Sequence, residues 1–182
     1  MSRNVEIKAR LRDPDETRRR VEAIADSGPE VLDQHDTFFR VPEGRLKVRR
    51  FGPGRGTLIA YRREDAPGPT TSHYVLAETA DPDGLRDALG TMLGIVGEVR
   101  KRRSVYLVGR TRIHLDTVDG LGDFLELEVV LVPGEARSVG EAEADGLTAR
   151  LGIAPEDLVD VAYVDLVAAD VTPDRSEERE SP

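Results

Sequence analysis

Polar and apolar residues alternate through most of this chain with the two-residue period of β-strands. In residues 5–11 (VEIKARL), Glu6, Lys8 and Arg10 fall on one face and Val5, Ile7 and Ala9 on the other. Comparable extended runs cover 34–41, 45–51, 57–63, 73–79, 98–108, 111–117 and 124–131. Pro42-Glu43-Gly44, Gly109-Arg110 and the stretch VDGLGD read as tight turns between them, so the sheet is expected to be largely antiparallel. The period becomes helical in three places. Asp13-Pro14-Asp15-Glu16 reads as N-cap, first helical proline and capping box, followed by Val21, Ile24 and Ala25 on one face and a stop near Ser27-Gly28-Pro29. Asp81-Pro82 starts a second helix with Leu85, Leu89, Met92 and Leu93. Ser138-x-x-Glu141 caps a third, with Ala142, Leu147 and Leu151 as its expected buried side. Residues 158–167 are apolar and fit strand or helix. This is an α+β layout, and many strands with few crossovers favour a curled sheet or a barrel.

The strands carry charge in an ordered way. Lys47 and Arg49 share a face, as do Lys101 and Arg103. Arg112, His114 and Asp116 alternate with Ile113 and Leu115, and Glu126 and Glu128 alternate with Leu125, Leu127 and Val129. A sheet with one solvated face would produce this pattern with ordinary cross-strand pairs. A sheet curled so that its charged faces meet would produce it too. In that case the like-charged Lys/Arg set needs an anion between its members. The carboxylates Asp116, Glu126 and Glu128 are hard oxygen ligands of the kind Mg²⁺ or Mn²⁺ prefers. Basic groups beside such a cluster describe a polyphosphate bound with a divalent metal.

Composition narrows the partners. The 182 residues suit one domain with a tail: the domain is expected over 1–169, and the acidic, proline-bounded 170–182 is expected to be disordered. A net charge of −9 and only 4% aromatic residues argue against nucleic acid as the main partner. There is no cysteine, which excludes thiolate ligands and cysteine nucleophiles. No apolar run is long enough for a membrane span and no secretory leader is evident, so a cytoplasmic protein is expected, with no membrane partner. The run GPGRG lacks the Lys-Ser/Thr end of a P-loop and reads as a plain loop. His35 and His73 read as surface or local hydrogen-bonding residues.

The segments NVEIKAR, RLKVRR, AYRRE, RKRRSVYL, TRIHLDTVDGLGDFLELEVV and AYVDLV, in this order, resemble the CYTH superfamily of class IV adenylate cyclases, thiamine triphosphatases and inorganic triphosphatases. The resemblance implies a closed eight-stranded antiparallel β-barrel, a triphosphate tunnel, with helices packed outside. It implies that Lys8, Lys47, Arg49, Arg62, Lys101, Arg103 and Arg112 bind the triphosphate. Arg62 is taken over Arg63 because it directly follows Tyr61. Glu6, Asp116, Glu126 and Glu128 are implied as metal carboxylates, with Mg²⁺ or Mn²⁺ as cofactor, and Glu6, Lys8, Glu126 and Glu128 as the catalytic set. The expected partner is ATP, thiamine triphosphate or inorganic triphosphate, and the family often forms homodimers. Two departures stand out. Asn4 replaces the first Glu of the family's ExExK motif, and Thr71-Ser72-His73-Tyr74 stands where cyclase-like relatives carry charged residues. Both keep a non-catalytic polyphosphate- or nucleotide-binding module open beside the enzyme reading.

Overall fold

The computed structural model describes residues 2–63 and 68–170. Its elements are β1 (Ser2–Arg10), α1 (Pro14–Ile24), β2 (Ser27–Phe39), β3 (Arg45–Gly52), β4 (Arg55–Arg63), β5 (Thr70–Thr79), α2 (Pro82–Leu93), β6 (Ile95–Val108), β7 (Thr111–Val118), β8 (Gly122–Val130), α3 (Arg137–Leu151) and α4 (Tyr163–Asp170), with a 3₁₀ turn at Pro155–Asp157. All eight expected strands are present. β2 begins at Ser27 rather than residue 34, because Glu30–Asp33 already pair with β6. The apolar run 158–167 resolves into irregular chain followed by α4. Apart from Asp170, which ends α4, the expected disordered tail lies outside the described residues.

Every strand pairs antiparallel with two neighbours, in the ring order β1-β5-β4-β3-β2-β6-β7-β8 and back to β1. The expectation of a closed eight-stranded antiparallel barrel with helices packed outside needs correction. Among the described residues β1 pairs with β5 only over Ser2–Glu6, although it runs beside β8 as far as Arg10. Past Glu6 that edge of β1 is taken by the chain ahead of α4. The Val159 N–H donates to the Lys8 carbonyl at 2.9 Å, and Leu158 bridges to Ala9. Ala162 and Tyr163 then enter the interior of the ring. The architecture is an α+β fold around an antiparallel ring, one seam of which is filled by irregular chain.

The principal apolar core lies outside this ring. Val5, Ile7, Ile113, Leu115, Leu125, Leu127 and Val129 point outward from β1, β7 and β8 and pack under Val21 of α1 and Ala144, Leu147 and Leu151 of α3. Each fully buried aliphatic chain contributes about 1.5–3 kcal/mol. Gly140 allows α3 to approach the sheet closely, since a Cβ there would meet Val5 and Leu131 side-chain carbons at 2.7–2.8 Å. In α3 the buried positions are Gly140, Ala144, Leu147 and Leu151, while Ala142 is exposed. The helix starts at Arg137 with no side-chain cap, so Ser138 does not play the expected role. Asp13 does cap α1, accepting from the Glu16 N–H at 2.9 Å. The Glu16 carboxylate turns to Arg19 and Arg20 instead of completing the box. Met92, one of the apolar residues of α2, is 81% exposed. A second cluster, with Phe38, Val99, Val118, Phe124 and Tyr163, closes around α4. No helix among the described residues is long and apolar enough to cross a membrane.

Candidate active site in the ring interior

Strand alternation sends one face of every strand, charged on all but β5, into one cavity of about 380 Å³. Lys8, Lys47, Arg49, Lys101, Arg103 and Arg112 line it, as do Glu6, Glu126 and Glu128. Arg62 does not. Tyr61 and Arg63 share the inward face of β4, so Arg62 points out, 70% exposed, and pairs with Glu43 at 2.9 Å. Arg63 takes the interior place, 3.6 Å from Glu6. Asp116 also departs from expectation. It is buried behind the cavity wall and fully engaged: Arg103 donates to its two oxygens at 2.7 and 2.6 Å, Lys101 at 3.0 Å and the Tyr163 hydroxyl at 3.0 Å. With its oxygens so occupied it positions cations and is poorly placed to ligate a metal.

The sequence reading missed a counterpart to Asp116. Asp36, on β2 directly opposite Arg49, accepts from Arg49 at 2.7 Å on each oxygen and from Lys47 at 2.7 Å. Lys47-x-Arg49 and Lys101-x-Arg103 are thus each bracketed by one aspartate on the neighbouring strand. Burial disfavours both carboxylates' charge, but Arg49 and Lys47 around Asp36, and Arg103 and Lys101 around Asp116, outweigh it and hold both well below the usual range. Burial and the adjacent Arg49 lower Lys47 to about 7, and burial lowers Lys8 to about 8. The Lys47 ammonium also lies over the Phe38 and Tyr61 rings, at 5.1 and 5.7 Å.

His114, the other missed residue, completes a compact cluster. Its ligand atom and one oxygen each of Glu126 and Glu128 lie within 4.8 Å of one another. His114 Nδ1 is 3.8 Å from each of the two carboxylates, is buried, and has no hydrogen-bond partner among the described residues. Lys8 stands 3.5 Å from Glu126, which Arg103 also contacts, and Arg112 is 2.8 Å from Glu128. Burial opposes ionisation of Glu126, but Arg103, Lys101 and Lys8 hold its carboxyl well below the usual range. Glu6 sits across the strand pair from Glu128. Burial first, then repulsion by Glu128, pushes Glu6 up to about 7. A buried imidazole nitrogen without a partner beside crowded carboxylates fits a divalent cation, the nitrogen donor suiting Mn²⁺ better than Mg²⁺.

The ring of antiparallel strands thus encloses a basic interior and a His/Glu/Glu cluster able to hold a divalent cation. The chain belongs to the CYTH domain family, whose model matches residues 2–163. It is 28% identical over 180 residues to an adenylate cyclase CyaB of Aeromonas hydrophila, covering 92% of this chain and 90% of the relative. Solved structures share the fold. A protein of Pyrococcus horikoshii OT3 superposes with a TM-score of 0.79 at 23% identity, over 90% of this chain and 98% of that one. A Hippeastrum protein described as having a dominant triphosphatase activity superposes with a TM-score of 0.61 at 20% identity, over 93% of this chain and 98% of that one.

Proposed function

We propose that this protein is a divalent-metal-dependent enzyme acting on the triphosphate group of a small molecule. One observation carries the reading. In a single cavity, the basic residues Lys8, Lys47, Arg49, Arg63, Lys101, Arg103 and Arg112 surround the cluster of His114, Glu126 and Glu128. His114, Glu126 and Glu128, with Glu6 alongside, would hold the metal. A bound Mg²⁺ or Mn²⁺ supplies neutralisation of phosphate charge and polarisation of a phosphoryl oxygen. The chain itself supplies the rest. Arg49 and Arg103, fixed by Asp36 and Asp116, present oriented guanidinium groups that need no rearrangement as negative charge shifts between phosphate oxygens. Lys8, close to Glu126, places a cation where the metal-side phosphate would lie.

Two outcomes of this binding mode differ in the attacking group. Attack of water on the terminal phosphorus releases orthophosphate. Attack of a ribose 3′-hydroxyl on the α-phosphorus releases pyrophosphate and a cyclic nucleotide. The Aeromonas relative's description as an adenylate cyclase favours the second. The purified chain is to be incubated with inorganic triphosphate, thiamine triphosphate and ATP, each with Mg²⁺ and with Mn²⁺, and all phosphate products resolved. Metal-dependent turnover that Glu126→Gln abolishes is expected. Tight binding without turnover would replace the enzyme reading by a sensor, and neither binding nor turnover would remove the triphosphate site.

A further inference from the structure

The cavity is chemically two-sided toward the rim formed by the β3–β4 and β6–β7 hairpins. On β7, β8 and β1 the residues lining it there are Arg112, Glu128 and Asn4. On the five consecutive strands β5, β4, β3, β2 and β6 the lining is mostly apolar, with Leu76, Ile59, Phe51, Leu32 and Val105 beside the one hydroxyl of Thr57. Ile59 pairs directly with Leu76. Leu76 is 56% exposed, and the other four are half-buried although they point into the ring. One carboxylate belongs to this arc: Glu30, directly opposite Val105 on β2, which is exposed and makes no ion pair among the described residues.

Resting on the triphosphate reading above, we infer that this arc is the seat of an aromatic head group, so that the substrate is an organic rather than an inorganic triphosphate. Inorganic triphosphate would occupy only the basic interior and leave the arc facing water. A heterocycle joined to the triphosphate would cover Leu76, Phe51, Leu32 and Val105 while its phosphates remain among the lysines and arginines. Apolar area removed from water supplies the binding, and Glu30 selects heads that offer it an N–H donor or a positive charge. The specificity-determining residues are therefore Leu32, Phe51, Leu76 and Glu30.

The test compares ATP, inosine triphosphate and inorganic triphosphate on the full chain, by kcat/KM with Mn²⁺ and by ligand-induced thermal shift. The wild type is expected to favour ATP over inorganic triphosphate at least tenfold. Leu76→Gln, and separately Leu32→Gln, should each lower kcat/KM for ATP about tenfold, equivalent to about 1.4 kcal/mol, and change that for inorganic triphosphate less than twofold. Glu30→Gln should narrow the difference between ATP and inosine triphosphate, which lacks the exocyclic amine. Equal losses on ATP and inorganic triphosphate, losses on neither, or a wild-type preference for inorganic triphosphate overturns the inference and leaves the triphosphate site standing. Failure of the wild type to bind or process any of the three removes both.

Discussion

Glu6→Gln should stabilise the metal-free protein at pH 8 while leaving it nearly unchanged at pH 5. Glu6 stands opposite Glu128 in a buried wall, with Arg63 at 3.6 Å as a partial counter-charge. Its carboxyl moves from 4.5 to about 7. The native state thus binds this proton more tightly than the unfolded chain does, so stability falls as pH rises from about 4.5 to about 7 and the full cost remains above that. At 1.36 kcal/mol per pKa unit the shift corresponds to about 3 kcal/mol. The side chain keeps 21% of its surface in solvent, which screens part of the repulsion and reduces the expected gain to about 2–3 kcal/mol. For a domain of this size that raises the melting midpoint by about 4–12 °C. The assay is thermal unfolding of both proteins in EDTA at pH 5 and pH 8. Added Mn²⁺ should narrow the difference at pH 8, because a cation at the cluster relieves the same repulsion. A lowered midpoint at pH 8, or an equal gain at both pH values, would refute the reasoning.

Arg63→Ala should weaken triphosphate binding at least tenfold in a titration where Arg62→Ala changes it less than twofold, since only Arg63 faces the cavity. Asp116→Asn leaves Lys101 and Arg103 buried with less compensation and should cost about 3–5 kcal/mol, seen as a urea midpoint about 1.5–2.5 M lower; a midpoint within 0.3 M of wild type contradicts the assignment. His114→Ala should raise the Mn²⁺ concentration for half-maximal activity about 10–100-fold and that for Mg²⁺ much less; equal changes for both metals would take the imidazole out of the metal site.

Much of this site was legible because strand alternation is a strict geometric rule. The pairs Lys47/Arg49, Lys101/Arg103 and Glu126/Glu128 were read onto common faces, and all six residues line the cavity. Alternation cannot fix the absolute phase of a strand whose polar residues are adjacent, so it does not separate Arg62 from Arg63, and a place directly after Tyr61 points to the wrong one. Nor does it carry cross-strand register. That Asp36 lies opposite Arg49, and Asp116 opposite Arg103, depends on the registers of the β2–β3 and β6–β7 pairs. His114 was visible on the same face as Arg112, and its place between Glu126 and Glu128 follows only from the β7–β8 register. The filled seam was hidden for another reason. Residues 158–167 carry no clear period, and it is tertiary packing against Lys8 and Ala9 that decides their course.

The apolar core outside the ring and the charged groups inside it occupy alternate positions of the same strands. Neighbouring residues such as Ile7 and Lys8, or Leu127 and Glu128, therefore answer to different demands, the first to the packed core and the second to the charged cavity. Substitution on the inner ladder changes the lining of the cavity while the outer ladder keeps the scaffold intact. This division lets one architecture diversify its chemistry without having to rebuild its foundation.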